Sequence, residues 1–424
     1  MDTLIDAPRS PWTARVGGFL LAETLSAIGS FGTVVAIWAY AAYHYHASPA
    51  QIAFYGVAFT LPGVVLGPIG GLVVDRIGQR ATLVPAKALG VVASLALLRA
   101  HSFDQLIAIS VLHGVSQAFW RPALASLPPR MVDDAYLART NALMGLGEQM
   151  SIVLGPVFAG VTIGLFGFKG AFLFDAATYA LGIVVLPIVR LTPVVRDPAL
   201  HTEHPLRDAV AGWKVVARTP LARRVVTADF TVHLLYGSSM IAEPLYVRDV
   251  LHRPPSTFAA LQTAFGLTLI LAGLVATRQG ERMAKFSWVA FGIVGSGLAA
   301  ALYLGTTSLA VAFVGVLVWG FFTGVIGGPA ATLLQRSTAD AVHGRVMATD
   351  VLATNLAMFA GLGVAGICIS VIGVQAWILV IGPTVAVVGL LLGANDRSAA
   401  RTAPTASPAL LSADPPRDAP PVPR

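Results

Sequence analysis

Cysteine and charged residues are both scarce in this chain of 424 residues. The single cysteine, Cys368, excludes an internal disulfide framework and a cysteine-based zinc site. Only 12% of the residues are charged, against roughly 25% in soluble domains, whereas 56% are hydrophobic and the mean hydropathy is +0.74. So few charges leave too little polar surface to cover a water-soluble core of this size. The composition therefore predicts a membrane protein with the lipid bilayer as its surroundings.

Long hydrophobic stretches fill most of the chain, in lengths that suit a bilayer. A spanning helix needs about 20 apolar residues, and windows of this length fall into two groups of six. They lie near 16–43, 50–74, 82–99, 104–127, 141–166 and 170–190, and near 225–246, 256–277, 286–305, 308–334, 346–371 and 374–394. The sequence thus predicts an all-α membrane protein of twelve transmembrane helices, with one bundle at 16–190 and another at 225–394.

Three polar segments lie outside these bundles. We expect 1–15 to be a cytoplasmic N-terminus, 191–224 a cytoplasmic central loop and 395–424 a disordered cytoplasmic tail, because the tail is rich in Ala, Pro, Ser and Arg. The central loop carries Trp213 among basic residues. Two alternatives stay open for it: a short amphipathic helix on the inner leaflet, or a solvated tether.

Basic residues are unevenly divided between the predicted loops. With both termini inside, the even-numbered loops hold sixteen Lys and Arg residues, and the odd-numbered loops hold four. Cytoplasmic loops carry such an excess in membrane proteins. The bias predicts cytoplasmic termini in a multi-pass protein of the plasma (inner) membrane. Because the basic residues lie in separate loops instead of one patch, we expect no nucleic-acid partner.

A ten-residue loop sequence occurs twice, between the second and third windows and again between the eighth and ninth. The copies are GLVVDRIGQR at 71–80 and GLVATRQGER at 273–282. Further residues match in one register: Gly160 with Gly366, and Gly167 with Gly373. These matches indicate two parallel six-helix repeats that arose by duplication.

The first copy, Gly-x-x-x-Asp-Arg-x-Gly-x-Arg between the second and third helices, resembles the loop motif of the major facilitator superfamily. The resemblance covers about residues 15–394 and implies that family's fold. It also implies that the loop latches the state open to the outside and releases as the two halves rock. The residues that take this role are Gly71, Asp75, Arg76, Gly78 and Arg80, and in the second copy Gly273, Arg278, Gly280 and Arg282. Gln79 and Thr277 depart from the pattern, and a purely topogenic basic loop is the alternative.

The fifth window contains Gly155-Pro156-Val-Phe-Ala-Gly160. It resembles a Gly-Pro motif on the fifth helix of exporters that exchange drugs for protons. Glycine and proline also bend a helix and let a neighbouring helix pack closely, so ordinary small-residue packing is the alternative.

The runs at 119–123 (FWRPA), 141–142 (NA) and 174–176 (FDA), together with Gly155-Pro156, resemble one subgroup in particular. That subgroup contains enterobactin-type siderophore exporters and macrolide efflux proteins. Ser30 and Ser110 depart from the expected pattern, because relatives often carry an acidic residue and an arginine there.

Ionisable side chains within the windows mark a transport pathway, a proton site or an ion pair. Counted at 1.5 Å per residue from the nearest cytoplasmic arginine, Glu23, Arg121 and Glu148 lie about 12–13 Å from the inner face. We expect Arg121 to partner these carboxylates, so that substrate or a proton competes for the arginine; a static ion pair is the alternative. Asp229, near the interface, is a further candidate. The remaining residues are expected to pack or to lack a partner: Lys87, His113, Asp175, His233 and Glu243.

Together these patterns predict a monomeric secondary active transporter that exports amphipathic small molecules by alternating access. Its energy source would be the proton gradient, with no cofactor and no metal. The sequence lacks the Gly-x-x-x-x-Gly-Lys-Ser/Thr loop of ATP-driven pumps, and no catalytic constellation indicates a membrane enzyme. A metabolite uptake carrier of the same fold and a non-transporting membrane sensor remain alternatives.

Overall fold

A computed structural model of the protein describes residues 14–189, 191, 205–338 and 340–402, which are almost entirely helical. The N-terminal half contains α1 (Ala14–Tyr43), α2 (Pro49–Ile77), α3 (Gln79–Leu97), α4 (Phe103–Ala125), α5 (Pro128–Met131) and α6 (Asp134–Val185). The rest contains α7 (Pro205–Arg218), α8 (Pro220–Leu245), α9 (Pro255–Gln279), α10 (Phe286–Gly305), α11 (Leu309–Arg336), α12 (Asp340–Ile372) and α13 (Val374–Thr402).

The helices agree with an all-α protein of twelve spans. Within the described residues, ten helices are long and apolar enough to cross a membrane. One of them, α6, has 52 residues and is interrupted at Gly167, where φ is 68°, so it supplies two spans. The remaining span is α4, which has 23 residues and packs between α2 and α3 in the same bundle.

Two predicted boundaries need correction. Helix α8 begins at Pro220, not near residue 225, because Pro220 occupies the first turn of a helix, where its missing N–H costs nothing. Helix α13 continues to Thr402, so residues 395–402 of the predicted disordered tail are helical. Alanine and arginine favour a helix there, and the first proline comes at 404. Residues 1–13 and 403–424 of the predicted terminal segments lie outside the described part of the chain.

Part of the central loop forms the short helix α7, and its position on the inner leaflet stays a prediction. This helix packs against α12 and α8. The approach is closest at Gly212, where an added Cβ would lie 2.7 Å from the backbone oxygen of Arg345 and would also collide with Thr349. Helix α7 therefore has a protein surface as its partner on one side, while Trp213 is 40% exposed.

The internal duplication is visible in the backbone. All six residues with positive φ among those described fall into three pairs: His46 with His252, Gly78 with Gly280, and Gly167 with Gly373. The members of each pair are separated by about the same number of residues, just over 200, as the repeated loop copies. Each pair ends a helix at equivalent points of the two repeats, so the duplicated sequence has kept the same chain reversals.

The spans alternate in direction, which divides the loops between two ends of the molecule. We call the end that contains the repeated loops, around Gly78 and Gly280, the motif end. The opposite end, with the loops around His46, Gly167, His252 and Gly373, is the far end. Hydrogen bonds between loops of one end agree with this division: at the far end, Tyr45 Oη donates to the carbonyl of Ala100 (2.9 Å) and Tyr246 Oη to that of Thr306 (2.8 Å).

Gly167 should be essential to the reversal inside α6. Its φ of 68° and ψ of −174° belong to a region that only glycine occupies without strain, so Gly167→Ala should cost about 1–3 kcal/mol. Gly164, three residues earlier and with no atom within 4 Å of an added Cβ, is the matched control, because Gly164→Ala should stabilise the helix by about 0.5–1 kcal/mol. Thermal unfolding of the purified protein, followed by circular dichroism, would measure both. Equal melting temperatures for the two variants would contradict the prediction.

Candidate functional site

The first copy of the repeated loop joins α2 to α3 and is fixed to the end of α6. Helix α2 ends at Gly78, whose φ is 91° and whose N–H donates to the carbonyl of Val74 at 2.8 Å. Two residues later, Arg80 donates through Nη2 to the carbonyls of Leu186 (3.4 Å) and Val189. A guanidinium at a helix C-terminus satisfies carbonyls that have no partner within the helix. Arg80 thus binds the loop to the last span of its own half.

The two charged residues that precede the turn in this copy lie on the surface at the motif end. Asp75 and Arg76 are exposed, and an added Cβ on Gly71 would meet no atom within 4 Å. Close approach of another helix to Gly71, as the motif's role requires, is therefore not made in this conformation. The latch role of Asp75 and Arg76 stays a prediction.

The second copy makes a different contact. Arg336, at the end of α11, donates from Nη1 to Glu281 Oε2 at 2.8 Å and from Nη2 to Oε1. Glu281 stands where the first copy has Gln79, so the second copy keeps an acidic residue, although Thr277 replaces the motif aspartate. Both partners are exposed, so the pair adds little stability. The other predicted residues of this copy lie around the turn at Gly280: Gly273, Arg278 and Arg282.

At the far end, hydrogen bonds hold the two halves together. Arg248, at the end of α8, donates from Nη1 to the carbonyl of Ala42 in α1 at 2.6 Å. Asp249 orients the guanidinium through two contacts, Nε to Oδ1 at 2.5 Å and Nη2 to Oδ2 at 2.8 Å. In the opposite sense, Tyr43 Oη donates to the carbonyl of Arg253 at 2.6 Å. Each half therefore donates a hydrogen bond to the backbone of the other.

Two helix seams between the halves also close near the far end, in equivalent ways. In the α6–α9 seam, an added Cβ on Gly160 would lie 3.1 Å from Ala259 Cβ. In the α2–α12 seam, an added Cβ on Gly366 would collide with Ala53 Cβ. Gly160 and Gly366 are one of the pairs that the repeat predicts, and Ala53 and Ala259 match in the same register. Glycine is used at both places because the helices approach too closely for a side chain.

The Gly-Pro pair of the fifth window lies where α6 crosses α1. An added Cβ on Gly155 would lie 2.9 Å from Phe31 Cβ and 3.0 Å from the backbone nitrogen of Gly32. An added Cβ on Gly32 would lie 2.9 Å from the carbonyl oxygen of Gly155. Pro156 is buried inside the same helix. The observed role of this motif is close helix packing, and its link to proton exchange stays a prediction.

Glu23 is paired with Lys87, not with the expected Arg121. Lys87 Nζ lies 2.9 Å from Glu23 Oε2 and also donates to Ser26 Oγ at 3.3 Å. The ammonium group lies 5.5 Å from the centroid of the Trp120 ring, within cation–π range. Glu23 is 7% exposed and Lys87 1%, so the pair is inside the N-terminal half.

The other predicted candidates lie apart from Glu23. Arg121 is exposed, with its guanidinium 5.8 Å from the ring centroid of Trp120, and Glu148 is exposed on α6. Asp229 is half-buried in the C-terminal half, where its carbonyl lies 2.8 Å from Nδ1 of His233. Counting residues from the membrane surface gave the height of each side chain along its helix. It gave no information on the direction in which the side chain points.

The sequence analysis missed a second buried polar group in the N-terminal half, around Asp175. Ser94 Oγ donates to Asp175 Oδ2 at 2.7 Å, and Ser30 Oγ donates to Oδ1 at 3.2 Å. His113 Nε2 lies 3.9 Å from Oδ2 and 3.3 Å from Tyr179 Oη. An available signal was that ionisable residues of both signs share the spans of one half and must find partners there. Ser30, which departs from the subgroup pattern, contacts a carboxylate that α6 supplies instead.

The C-terminal half contains a buried carboxylate of another kind. Glu243 is 4% exposed, and Gln262 Nε2 donates to its Oε2 at 2.8 Å. This partner is a neutral amide and not a cation. Buried ionisable groups therefore differ between the two halves, although the backbone repeats.

The fold and these sites define a helical membrane transporter, and comparisons with known proteins give its family. The family model of the Major Facilitator Superfamily matches residues 19–242 and 225–416. The chain belongs to the major facilitator superfamily, as the loop motif predicted.

Individual relatives refine the comparison. The chain is 24% identical over 390 residues to the uncharacterized MFS-type transporter YfiS of Bacillus subtilis (strain 168), covering 88% of this chain and 91% of YfiS. It is 20% identical to macrolide efflux protein A of Streptococcus pyogenes, covering 78% and 84%. This similarity confirms the efflux-like subgroup resemblance. A crystal structure of a bacterial homolog of the human lysosomal transporter Spinster, inward-facing and unoccupied, has the same fold, with a TM-score of 0.68, 16% identity and coverage of 92% and 94%.

Removing one member of the buried ion pair should destabilise the protein more than removing both. Lys87→Met leaves the Glu23 carboxylate without its cation and should cost about 3–5 kcal/mol. The double variant Glu23→Gln/Lys87→Met should recover most of that loss, because no uncompensated charge remains. Chemical denaturation of the purified protein would measure the free energies, with Lys169→Met on the exposed surface as control. A double variant less stable than Lys87→Met would contradict this account.

Loss of the Arg248 guanidinium should open the far end. Arg248→Gln removes charge-assisted hydrogen bonds across the halves, a change of about 1.5 kcal/mol or more and therefore roughly tenfold in population. Spin labels at Lys169→Cys and Thr307→Cys, in a Cys368→Ser background, would measure the distance between far-end loops of the two halves. We expect a larger long-distance population. Arg253→Gln is the control, because Arg253 contributes its carbonyl, and an equal shift in both variants would contradict the role of Arg248.

Proposed function

We propose that this protein exports amphipathic small molecules across the plasma (inner) membrane in exchange for protons, by alternating access. Family membership establishes a membrane transporter; the direction of transport, the substrate class and the coupling to protons are proposed in addition. Export and the substrate class are supported by the similarity to a macrolide efflux protein. In this proposal the protein is a monomer, and both its termini are cytoplasmic. The division of basic residues between loops supports the position of the termini.

The observation that carries alternating access is that both seams are closed toward the far end and open toward the motif end. On α2, an added Cβ at Gly56 would lie 2.9 Å from Leu362 of α12. Glycines on the same face, seven and more residues closer to the motif end, would meet no atom within 4 Å: Gly63, Gly67 and Gly71. With the motif end on the cytoplasmic side, this conformation is open inward.

The second seam repeats this pattern. An added Cβ at Gly266 on α9 would lie 3.0 Å from the carbonyl of Ile152 in α6, whereas Gly273, two turns further, would meet no atom within 4 Å. In the proposed cycle the far-end contacts of Arg248 break and the motif ends of the helices approach over these glycine faces. Asp75 and Arg76 would then make their latch contacts.

Proton exchange is supported by the buried ionisable groups. Charges in spanning segments are costly, and in transporters they mark ion or proton pathways. Glu23 and Asp175 lie inside the N-terminal half and Glu243 inside the C-terminal half. An exporter that concentrates its substrate outside needs an energy source. The proton gradient can supply it if one of these buried groups takes up a proton on one side of the membrane and releases it on the other.

The experiment is accumulation of a panel of fluorescent dyes, macrolides and siderophores in efflux-deficient cells that express the chain. We expect lower accumulation of at least one compound with the wild-type protein, and recovery of accumulation when a protonophore is added. Unchanged accumulation of every compound would contradict broad export. Higher accumulation in expressing cells would indicate uptake instead.

The variant Gly71→Leu tests alternating access in the same assay. Leucine has room in the present conformation and favours the helix by about 1 kcal/mol, so folding should be unharmed. It should nevertheless abolish export, because the side chain blocks approach of the motif ends. Gly164→Leu, at another open glycine but near the far end of α6, is the matched control and should export normally. Normal export by Gly71→Leu would contradict the proposed closure.

A further inference from the structure

Four ionisable side chains share the interior of the N-terminal half. Glu23 comes from α1, Lys87 from α3, His113 from α4 and Asp175 from the second span of α6, and none is more than 7% exposed. An uncompensated charge in such surroundings costs several kcal/mol, because burial removes the solvation that stabilises a charge in water. The stable arrangement of the cluster is therefore the one in which its net charge is zero.

The Glu23–Lys87 pair already satisfies this condition. The carboxylate and the ammonium group are 2.9 Å apart, and Ser26 and the faces of Trp120 and Tyr179 surround the ammonium group. Burial of this pair requires no additional proton.

The backbone of α6 also makes room for the pair. An added Cβ on Gly182 would lie 2.8 Å from Lys87 Nζ and 3.1 Å from Glu23 Oε1. This glycine lets α6 pack directly over the two charged groups, which contributes to their burial.

Asp175 has no comparable cation. Its contacts are the neutral hydroxyl groups of Ser30 and Ser94 and the imidazole of His113, whose charge depends on its own protonation. Without an extra proton, Asp175 and His113 carry a net charge of −1. With one proton, on either member, they carry zero. This pair is therefore the part of the cluster whose charge balance depends on a proton.

We propose that Asp175 and His113 form the proton-binding centre of the N-terminal half, and that Glu23 is a static partner of Lys87. The proposal rests on the proposed function, since it names the groups that carry the exchanged proton. Binding adds one proton to the pair, as a carboxyl group beside a neutral imidazole or as a carboxylate beside an imidazolium. Because the two groups interact, they titrate as a unit.

The surroundings of the pair suit a proton site. His113 Nδ1 is buried with no hydrogen-bond partner among the described residues, an arrangement that a purely structural histidine rarely has. Tyr179 Oη lies 3.3 Å from His113 Nε2, and its ring lies 5.6 Å from Lys87 Nζ. Tyr179 thus lies between the two pairs.

Loss of the proton would leave a buried negative charge shared by α1, α3, α4 and α6. Water or a substrate cation must then enter, or these helices must move apart. Helix α1 also supplies Ala42 and Tyr43 to the far-end contacts with the C-terminal half. Binding of one proton to the Asp175–His113 pair would in this way favour the packed arrangement seen here. Release of that proton would favour a rearrangement of the helices.

The test is infrared difference spectroscopy of the full-length protein in lipid nanodiscs, between acidic and alkaline pH, in both the carboxyl and the imidazole band regions. Exposed carboxyl and imidazole groups titrate in every variant. In addition, the wild type should show titrating bands of the buried pair, and Asp175→Asn, which keeps the shape of the side chain, should lose those bands. The neutral double variant Glu23→Gln/Lys87→Gln should keep them. Loss of the bands in the double variant, or their persistence in Asp175→Asn, would overturn the proposal.

Two further variants test the assignment of the bands to the Asp175–His113 pair. His113→Gln should shift the pH midpoint of the remaining bands, which supports the pair even if Asp175→Asn fails to fold; an unchanged midpoint would contradict it. Asp104→Asn, at an exposed aspartate at the start of α4, is the matched control and should keep the bands that Asp175→Asn loses. Its loss of the same bands would also contradict the proposal.

A transport measurement separates this proposal from the proposed function. In proteoliposomes that contain a compound exported by the wild type, Asp175→Asn should lose accumulation driven by a pH gradient while it retains downhill movement. Retention of gradient-driven accumulation would overturn the role of Asp175 and leave proton-coupled export intact. If wild-type transport did not depend on the pH gradient while the titrating bands of the pair were present, proton-coupled export would be contradicted. The assignment of the proton-binding pair would stand.

Discussion

Neutralisation of charge in an apolar interior is the constraint on which this molecule depends. Each bundle is surrounded by lipid, so an ionisable side chain inside it must find its partner within the same set of helices. Glu23 meets Lys87 at 2.9 Å for this reason, and Asp175 collects two hydroxyl donors and an imidazole. These contacts also decide which helices of the N-terminal half stay together, since the four ionisable groups come from four different spans.

The second constraint is close packing between the two halves. Hydrophobic attraction does not hold helices together in a bilayer, so van der Waals contact and hydrogen bonds must do so. Glycines at Gly160 and Gly366 allow this contact near the far end, and the Arg248 guanidinium adds hydrogen bonds to the backbone of the other half. Each of these contacts is small and local. A seam built in this way can open at one end while it closes at the other.

The two halves have kept a common backbone plan from the duplication, whereas their buried polar residues have diverged. The paired chain reversals, such as Gly78 with Gly280, show that the two halves still share a backbone plan. Their polar interiors are no longer alike, because an ion pair and a carboxylate–imidazole pair occupy one half, whereas Glu243 is bonded to an amide in the other. The backbone plan depends on a few glycines whose positive φ would strain any other residue. The interior polar residues are under no such restriction.

The sequence by itself determined the class of fold, the approximate spans, the family and the duplicated turns. These follow from composition, from the length of apolar runs and from glycine positions, all of which are local properties of the chain. Only the tertiary structure decided which charges meet. Glu23 and Arg121 share a height in the membrane, yet Glu23 turns toward Lys87 on α3 while Arg121 is exposed. A side chain's direction depends on how each helix is rotated against its neighbours, and that rotation is set by packing contacts far apart in the sequence.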